Sequence, residues 1–224
     1  MTKNMVIIGA GPGLGLALAK EFGRHDFKVA LVARHQTTLD RLSTELRTMD
    51  VPHRTYVADV TDPDALTTAL RQIIADFKTI SVVEFSPYAG PQDFRNVLTM
   101  TPEDVQQQLT VNVLPAVQVV RTLLPTLQRS PQPGLLFNSG ISACHPLAML
   151  GNTGIAAAGL RNYALNLAQV LAPEHVYVGF LAVATQIKPA TVGDSALIAR
   201  QWYEMYAGQI SGEAVFPSQQ EAAQ

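Results

Sequence analysis

The stretch IIGAGPGLGLALAKEF, residues 7–22, places glycines at positions 9, 11, 13 and 15 between a short apolar run and a helical pattern. Glycine lets a backbone turn tightly and approach another group without a Cβ in the way. A helix starting near Gly13 would present free N–H groups and its positive dipole end to an anion. The chemistry this favours is the cradling of a pyrophosphate by Gly9, Gly11, Gly13, Leu14 and Gly15, at the first strand–helix turn of a nucleotide-binding sheet. A merely structural turn is the plainer alternative, and four glycines at the first strand make it the weaker one.

The end of the next apolar run speaks to which dinucleotide. A carboxylate there would hold the adenosine ribose hydroxyls and repel a 2′-phosphate. The chain reads LVARHQTTLDRL, with Ala33 in that place and Arg34 beside it. A guanidinium fork pairs well with a phosphate, so NADP(H) is expected in preference to NAD(H). The alternative is a solvated surface arginine.

The spacing Gly-x-x-x-Gly-x-Gly, met by Gly9, Gly13 and Gly15, resembles the short-chain dehydrogenase/reductase family, and further segments agree in order. ADVTD resembles its adenine-contacting Asp-Val pair, here Asp59 and Val60. TVNVLPAVQVVRTLLP resembles its fourth long helix, whose helix-kinking, water-holding asparagine corresponds to Asn112. An ordinary helix-bending polar group is the equal alternative for Asn112. QWYEMYAGQISGEAVF resembles the closing helix and strand of some members.

The departures fall where the resemblance implies chemistry. After the fourth strand SPYAG keeps only Ala89 and Gly90 of the usual Asn-Asn-Ala-Gly. After the sixth strand the usual Pro-Gly is missing from LAVATQIKPA, where Ile187 is expected to face the nicotinamide carboxamide. The family's proton donor is a tyrosine on the fifth long helix, with a lysine one turn later that lowers its pKa. Aligning LNLAQVLAP with the end of that helix puts Thr153 and Ala157 at those two positions. Gly140 falls where the family's serine stands, with Ser139 next to it. No lysine of the chain has a tyrosine four residues before it. A positioned general acid is worth about 10²–10⁴ in rate, so the ordinary mechanism is not encoded. Replacement candidates are Tyr88 in the loop after the fourth strand and His145 after the fifth, with Ser139, Ser142 and Lys188 behind them. Each also has a structural or surface reading. Cys144 beside His145 suggests a thiolate pair.

Positioning such a site requires a parallel sheet with helices on both faces. Short β-rich runs alternate with helical patterns throughout the chain. Strands are expected over 5–10, 28–33, 54–59, 80–85, 134–139, 176–183 and 213–216. Helices are expected over 13–25, 36–49, 62–76, 102–128, 151–171 and 190–207. This is one α/β Rossmann-like, doubly wound domain over 1–217, with a polar tail over 218–224 expected to fray.

Composition bounds the rest. Hydrophobic residues make up 47% and charged residues 15%, which suits a globular chain. A net charge of −2 without basic runs argues against nucleic acid as a partner. One cysteine fits a reducing cytoplasm, and no leader or membrane-spanning run is visible. The helices over 102–128 and 151–171 commonly form subunit contacts in the resembling family, so a homodimer or homotetramer is expected. The function expected is hydride transfer between a nicotinamide and a small carbonyl or alcohol with an altered acid. Two alternatives stay open: a noncatalytic NADP(H)-binding sensor or scaffold, and a nonredox enzyme using the same pocket. No metal is expected.

Overall fold

A computed structural model describes residues 3–210 and 212–218. The expected tail beyond 218 lies outside the described residues. Seven strands form one sheet in the order β3-β2-β1-β4-β5-β6-β7, and every neighbouring pair is parallel. They are β1 Lys3–Ile8, β2 Phe27–Ala33, β3 His53–Val57, β4 Val82–Phe85, β5 Gly134–Gly140, β6 Tyr177–Val183 and β7 Glu213–Phe216. The helices are α1 Leu14–Gly23, α2 Gln36–Arg47, α3 Pro63–Phe77, α4 Pro102–Asn112, α5 Leu114–Leu127, α6 Gly151–Leu171 and α7 Ser195–Gly208.

Strand alternation sorts the core into two layers. Val6, Ile8, Val83 and Phe137 face α3, α5 and α6. Met5, Ile7, Val82 and Leu136 face α1, α2 and α7, where Trp202 is fully buried. Because both faces are covered, the strands are apolar on both sides, as parallel sheets require. The strand order reverses between β1 and β4. In such sheets a crevice opens at that switch, outside the carboxyl ends of the strands.

The structure departs from the expected elements in two places. The expected helix over 102–128 is two helices that break at Val113 (φ −110°, ψ −55°). Pro115 in the first turn of α5 has no N–H, so the Val111 carbonyl loses its helical partner there. The last helix starts at Ser195 rather than near 190. Ala190 has a positive φ of 56°, and the Asp194 carboxylate accepts from the Ala190 and Ala196 N–H groups. Residues 190–194 are thereby spent on a turn and an N-cap.

Candidate functional site

The glycine turn joins β1 to α1 at the switch point, and its glycines divide into two kinds. Gly9 has φ +88°, and a Cβ there would come within 2.6 Å of the Pro87 Cα. At Gly15 a Cβ would stand 2.9 Å from the Ala10 Cα, so this glycine lets helix and strand pack closely. These two are demanded by the fold. Gly11 has nothing within 4 Å of a Cβ position, and Gly13 has only the Ile187 Cγ2 at 3.8 Å. Their bare faces border open space at the start of α1. Gly13 caps α1 without a side-chain bond, and the N–H groups of the first helical residues, Leu14 and Gly15, have no intrahelical acceptor. A pyrophosphate fits such a turn, since it needs close backbone approach and unspent N–H donors.

Beside it, at the ends of β2 and β3, lies a cavity of about 470 Å³ whose lining includes Arg34, Asp59 and Ala89. Arg34 is its one lining cation, is exposed, and has no hydrogen-bond or ion-pair partner among the described residues. Asp93 and Glu103 line the same space. The Asp59 carboxylate is engaged locally, accepting from the Thr61 N–H at 2.9 Å and its hydroxyl at 2.8 Å. Val60 is buried in the core below. Gly90 follows Ala89 with φ +110°. Arg34, Asp59, Ala89, Gly90, the glycine turn and Ile187 therefore lie along one edge of the sheet, while Leu14 and Val60 of the expected set are buried.

The catalytic candidates are placed less coherently. On α6, Thr153 is half-buried and its hydroxyl stands 3.5 Å from the Asn152 Oδ1. One turn on, Ala157 is buried in the apolar layer. Tyr163, also on α6, packs its ring edge-on against Phe137, and burial pushes its phenol above the ordinary value. Among the described residues no tyrosine hydroxyl is hydrogen-bonded to a lysine. Ser139 and Gly140 end β5, with Ser139 half-buried. Ser142 follows on a short turn; its Oγ is buried without a partner among the described residues. Asn112 turns its amide back on its own helix, donating to the Gln108 carbonyl and Oε1.

Tyr88 is 63% exposed and meets Phe94 edge-on at 6.2 Å. Desolvation of its phenol raises its pKa, which weakens it as an acid. His145 is exposed. The thiolate pair suggested for Cys144 and His145 does not form. Cys144 donates instead to the Glu213 Oε1 at 3.6 Å. Burial, and then the negative charge of Glu213, hold its thiol protonated above the ordinary range.

Three features escape a reading of the sequence alone. Glu84, in mid-β4, is fully buried, and neither carboxyl oxygen has a hydrogen-bond partner among the described residues. Burial pushes its pKa up to about 8, opposed only by Ser86. Asn152, also fully buried, accepts from the Arg95 N–H and donates to the Asp93 and Asp104 carbonyls. It ties the segment after β4 to the start of α6. Arg161 on α6 grips Glu213 on β7 through two bonds, at 2.5 and 2.8 Å. That pair holds Glu213 below the usual carboxylate range.

Known proteins share both this sequence pattern and this geometry. An uncharacterized oxidoreductase of Staphylococcus epidermidis is 25% identical over 191 residues, covering 85% of this chain and 81% of that protein. Serine 3-dehydrogenase of Agrobacterium fabrum is 28% identical over 174 residues, 75% of this chain and 65% of its own. Among solved structures, L-sorbose reductase from Gluconobacter frateurii, complexed with NADPH and L-sorbose, superposes with a TM-score of 0.85. That likeness covers 96% of this chain and 94% of that one at 18% identity. A metagenomic short-chain oxidoreductase in complex with NADP gives 0.83, at 19% identity and 96% of both chains. The family model described as short chain dehydrogenase matches residues 3–191. With most of its length matched and its sheet in the same form, the chain belongs to the short chain dehydrogenase family of oxidoreductases.

Proposed function

We propose that this protein is an NADP(H)-dependent oxidoreductase acting on a small carbonyl or alcohol, with a weakened or nonstandard proton donor. One observation carries the reading: the open turn at Gly11 and Gly13 lies at the same carboxyl edge of the sheet as a cavity in which Arg34 is the single lining cation. A 2′-phosphate would find an unspent guanidinium there, and Ala33 presents no carboxylate to repel it. The NADP(H) complexes of similar fold support this choice.

When bound, the cofactor supplies a hydride to the carbonyl carbon, and the carbonyl oxygen must then receive a proton. Thr153 offers an aliphatic hydroxyl, a far weaker acid than a phenol, and Ala157 offers no cation to assist it. Proton supply therefore falls to Tyr88, His145 or water, and turnover is slow. The buried Ala157 favours a second reading, a noncatalytic NADP(H) binder, because the apolar packing of α6 is complete without a lysine.

Calorimetric titration with NADPH and NADH tests the cofactor half. NADPH should bind more tightly, and equal affinities would defeat the role of Arg34. A carbonyl panel followed at 340 nm tests the rest. Weak turnover reduced by Tyr88→Phe or His145→Ala would identify the acid; tight NADPH binding without any turnover would favour the second reading.

We also propose a homodimer or homotetramer through α4, α5 and α6, where Leu114 and Ile155 are exposed apolar residues. Sedimentation of Leu114→Glu should show a smaller particle than the parent. No helix among the described residues is long and apolar enough to cross a membrane; with a single cysteine, the cytoplasm is the compartment we propose.

A further inference from the structure

The loops that leave β4, β5 and β6, three adjacent strands, carry an uneven share of the molecule's exposed apolar side chains. Seven of the thirteen exposed large hydrophobic residues among those described lie on them. After β4 these are Tyr88, Val97 and Leu98, the last 91% exposed; after β5, Leu147 and Met149, the latter 68% exposed; after β6, Ile187 and Val192. These loops make up about a sixth of the chain, so scattered surface apolarity does not account for the clustering.

The first two loops are joined, and the third meets the nucleotide turn beside them. The Val97 N–H donates to the Ala148 carbonyl and the Gly151 N–H to the Arg95 carbonyl, both at 2.8 Å. This binds the first loop to the second. Ile187 brings the third against Gly13 of the nucleotide turn, and Ala89, next to Tyr88, lines the cavity that holds Arg34. The first and third loops thus each border the nucleotide turn or its cavity.

Its charges are mostly spent internally. Arg95 pairs with Asp104 at 3.2 Å and donates to the Gln92 and Phe94 carbonyls. Asp93 accepts from the Gln92 amide, and Asp194 caps α7. Lys188 is left as the one cation of these loops without an ion-pair partner among the described residues.

We propose that the substrate of this site is an uncharged, predominantly apolar carbonyl compound or alcohol, whose hydrocarbon body lies on the rim formed by Leu98, Leu147, Met149 and Ile187. The proposal rests on the oxidoreductase reading for the reaction, but not for the binding. Sugars and dicarboxylates would leave their polar groups against hydrocarbon, whereas each methylene moved from water onto such a surface improves binding about threefold to fourfold.

Two measurements on the full chain test it. Calorimetric binding of butan-1-ol, hexan-1-ol and octan-1-ol, with and without NADP⁺, should show affinity rising severalfold per methylene added. Reduction of the matching alkanals with NADPH should follow the same order in kcat/KM, with 4-oxobutanoate and glucose well behind. Leu98→Ser and Met149→Ser, both at exposed positions, should flatten the chain-length dependence while NADPH affinity is unchanged. Length-independent binding, or a preference for 4-oxobutanoate or glucose, would overturn the proposal. So would a dimer that these serine substitutions dissociate, with no alkanol bound, since the rim would then be a subunit contact. Length-dependent alkanol binding without NADPH binding or turnover would instead uphold the apolar rim and defeat the redox reading.

Discussion

Glu84 of β4 stands directly opposite Leu136 of β5 in the sheet register, a carboxyl paired with an isobutyl group in a layer that excludes water. The folded chain keeps this proton up to about pH 8, whereas an ordinary glutamate loses it near 4.5. Between those values the folded state binds more protons than the unfolded one, so stability falls as pH rises and levels off above about 8. The slope from this group approaches ~1.4 kcal/mol per pH unit. Urea denaturation at pH 5, 6.5 and 8 should show Glu84→Gln losing less stability across the window than the parent. Parallel pH profiles for the two proteins would rule the assignment out.

The glycine turn separates folding from binding. Gly9→Ala forces a Cβ into the Pro87 backbone at a positive φ and should cost about 2–4 kcal/mol. Gly11→Ala meets no atom, so its unfolding midpoint should stay near the parent's while NADPH affinity drops. Thermal melts paired with nucleotide titration distinguish the two. A Gly11 variant that binds NADPH normally would move the pyrophosphate elsewhere.

Arg34→Ala should weaken NADPH about 10–100-fold, the range expected when a charged hydrogen bond is lost, and leave NADH nearly unchanged. Raising the salt concentration should weaken the parent's NADPH binding more than the variant's, because the contact is exposed.

Cys144 should react slowly with iodoacetamide at pH 8, because burial and Glu213 both oppose its thiolate. Glu213→Gln removes that negative charge and leaves Arg161 nearby, so alkylation should speed up by a few-fold. Mass spectrometry of timed samples reads this directly, and an unchanged rate would show that Glu213 does not govern the thiol.

Local spacing made much of this molecule legible. The glycine turn, the seven strands and the alternation of helices each depend on residues a few positions apart, and the sheet follows from that alternation. The break at Val113 also left a local mark, Pro115, beside the Asn112 that the family resemblance gives as helix-kinking. The turn before α7 was marked by Pro189 and Gly193 in the same way. Glu84 left no such mark: VVEF reads as a strand with one polar side, and only packing by α1 and α7 shows that this side is closed. Cys144 and Glu213, 69 residues apart, meet only because β7 returns beside β6. The glycine turn that the family shares could be read from a short motif. The proton-transfer half of the site could not, since no lysine of the chain follows a tyrosine by four residues and the polar groups near the cleft come from separate loops and helices.

The buried amide of Asn152 makes the two flanks of the cleft mechanically unequal. It rivets residues 93–104 to a long helix, while the bonds within 188–194 are largely local, Lys188 to Gly193 and Ala190 to Asp194. An incoming molecule therefore presses against a fixed anvil on one side and a compliant jaw on the other. Whatever ordering its capture demands falls on the jaw, and amide exchange there should slow on binding while the anvil hardly changes.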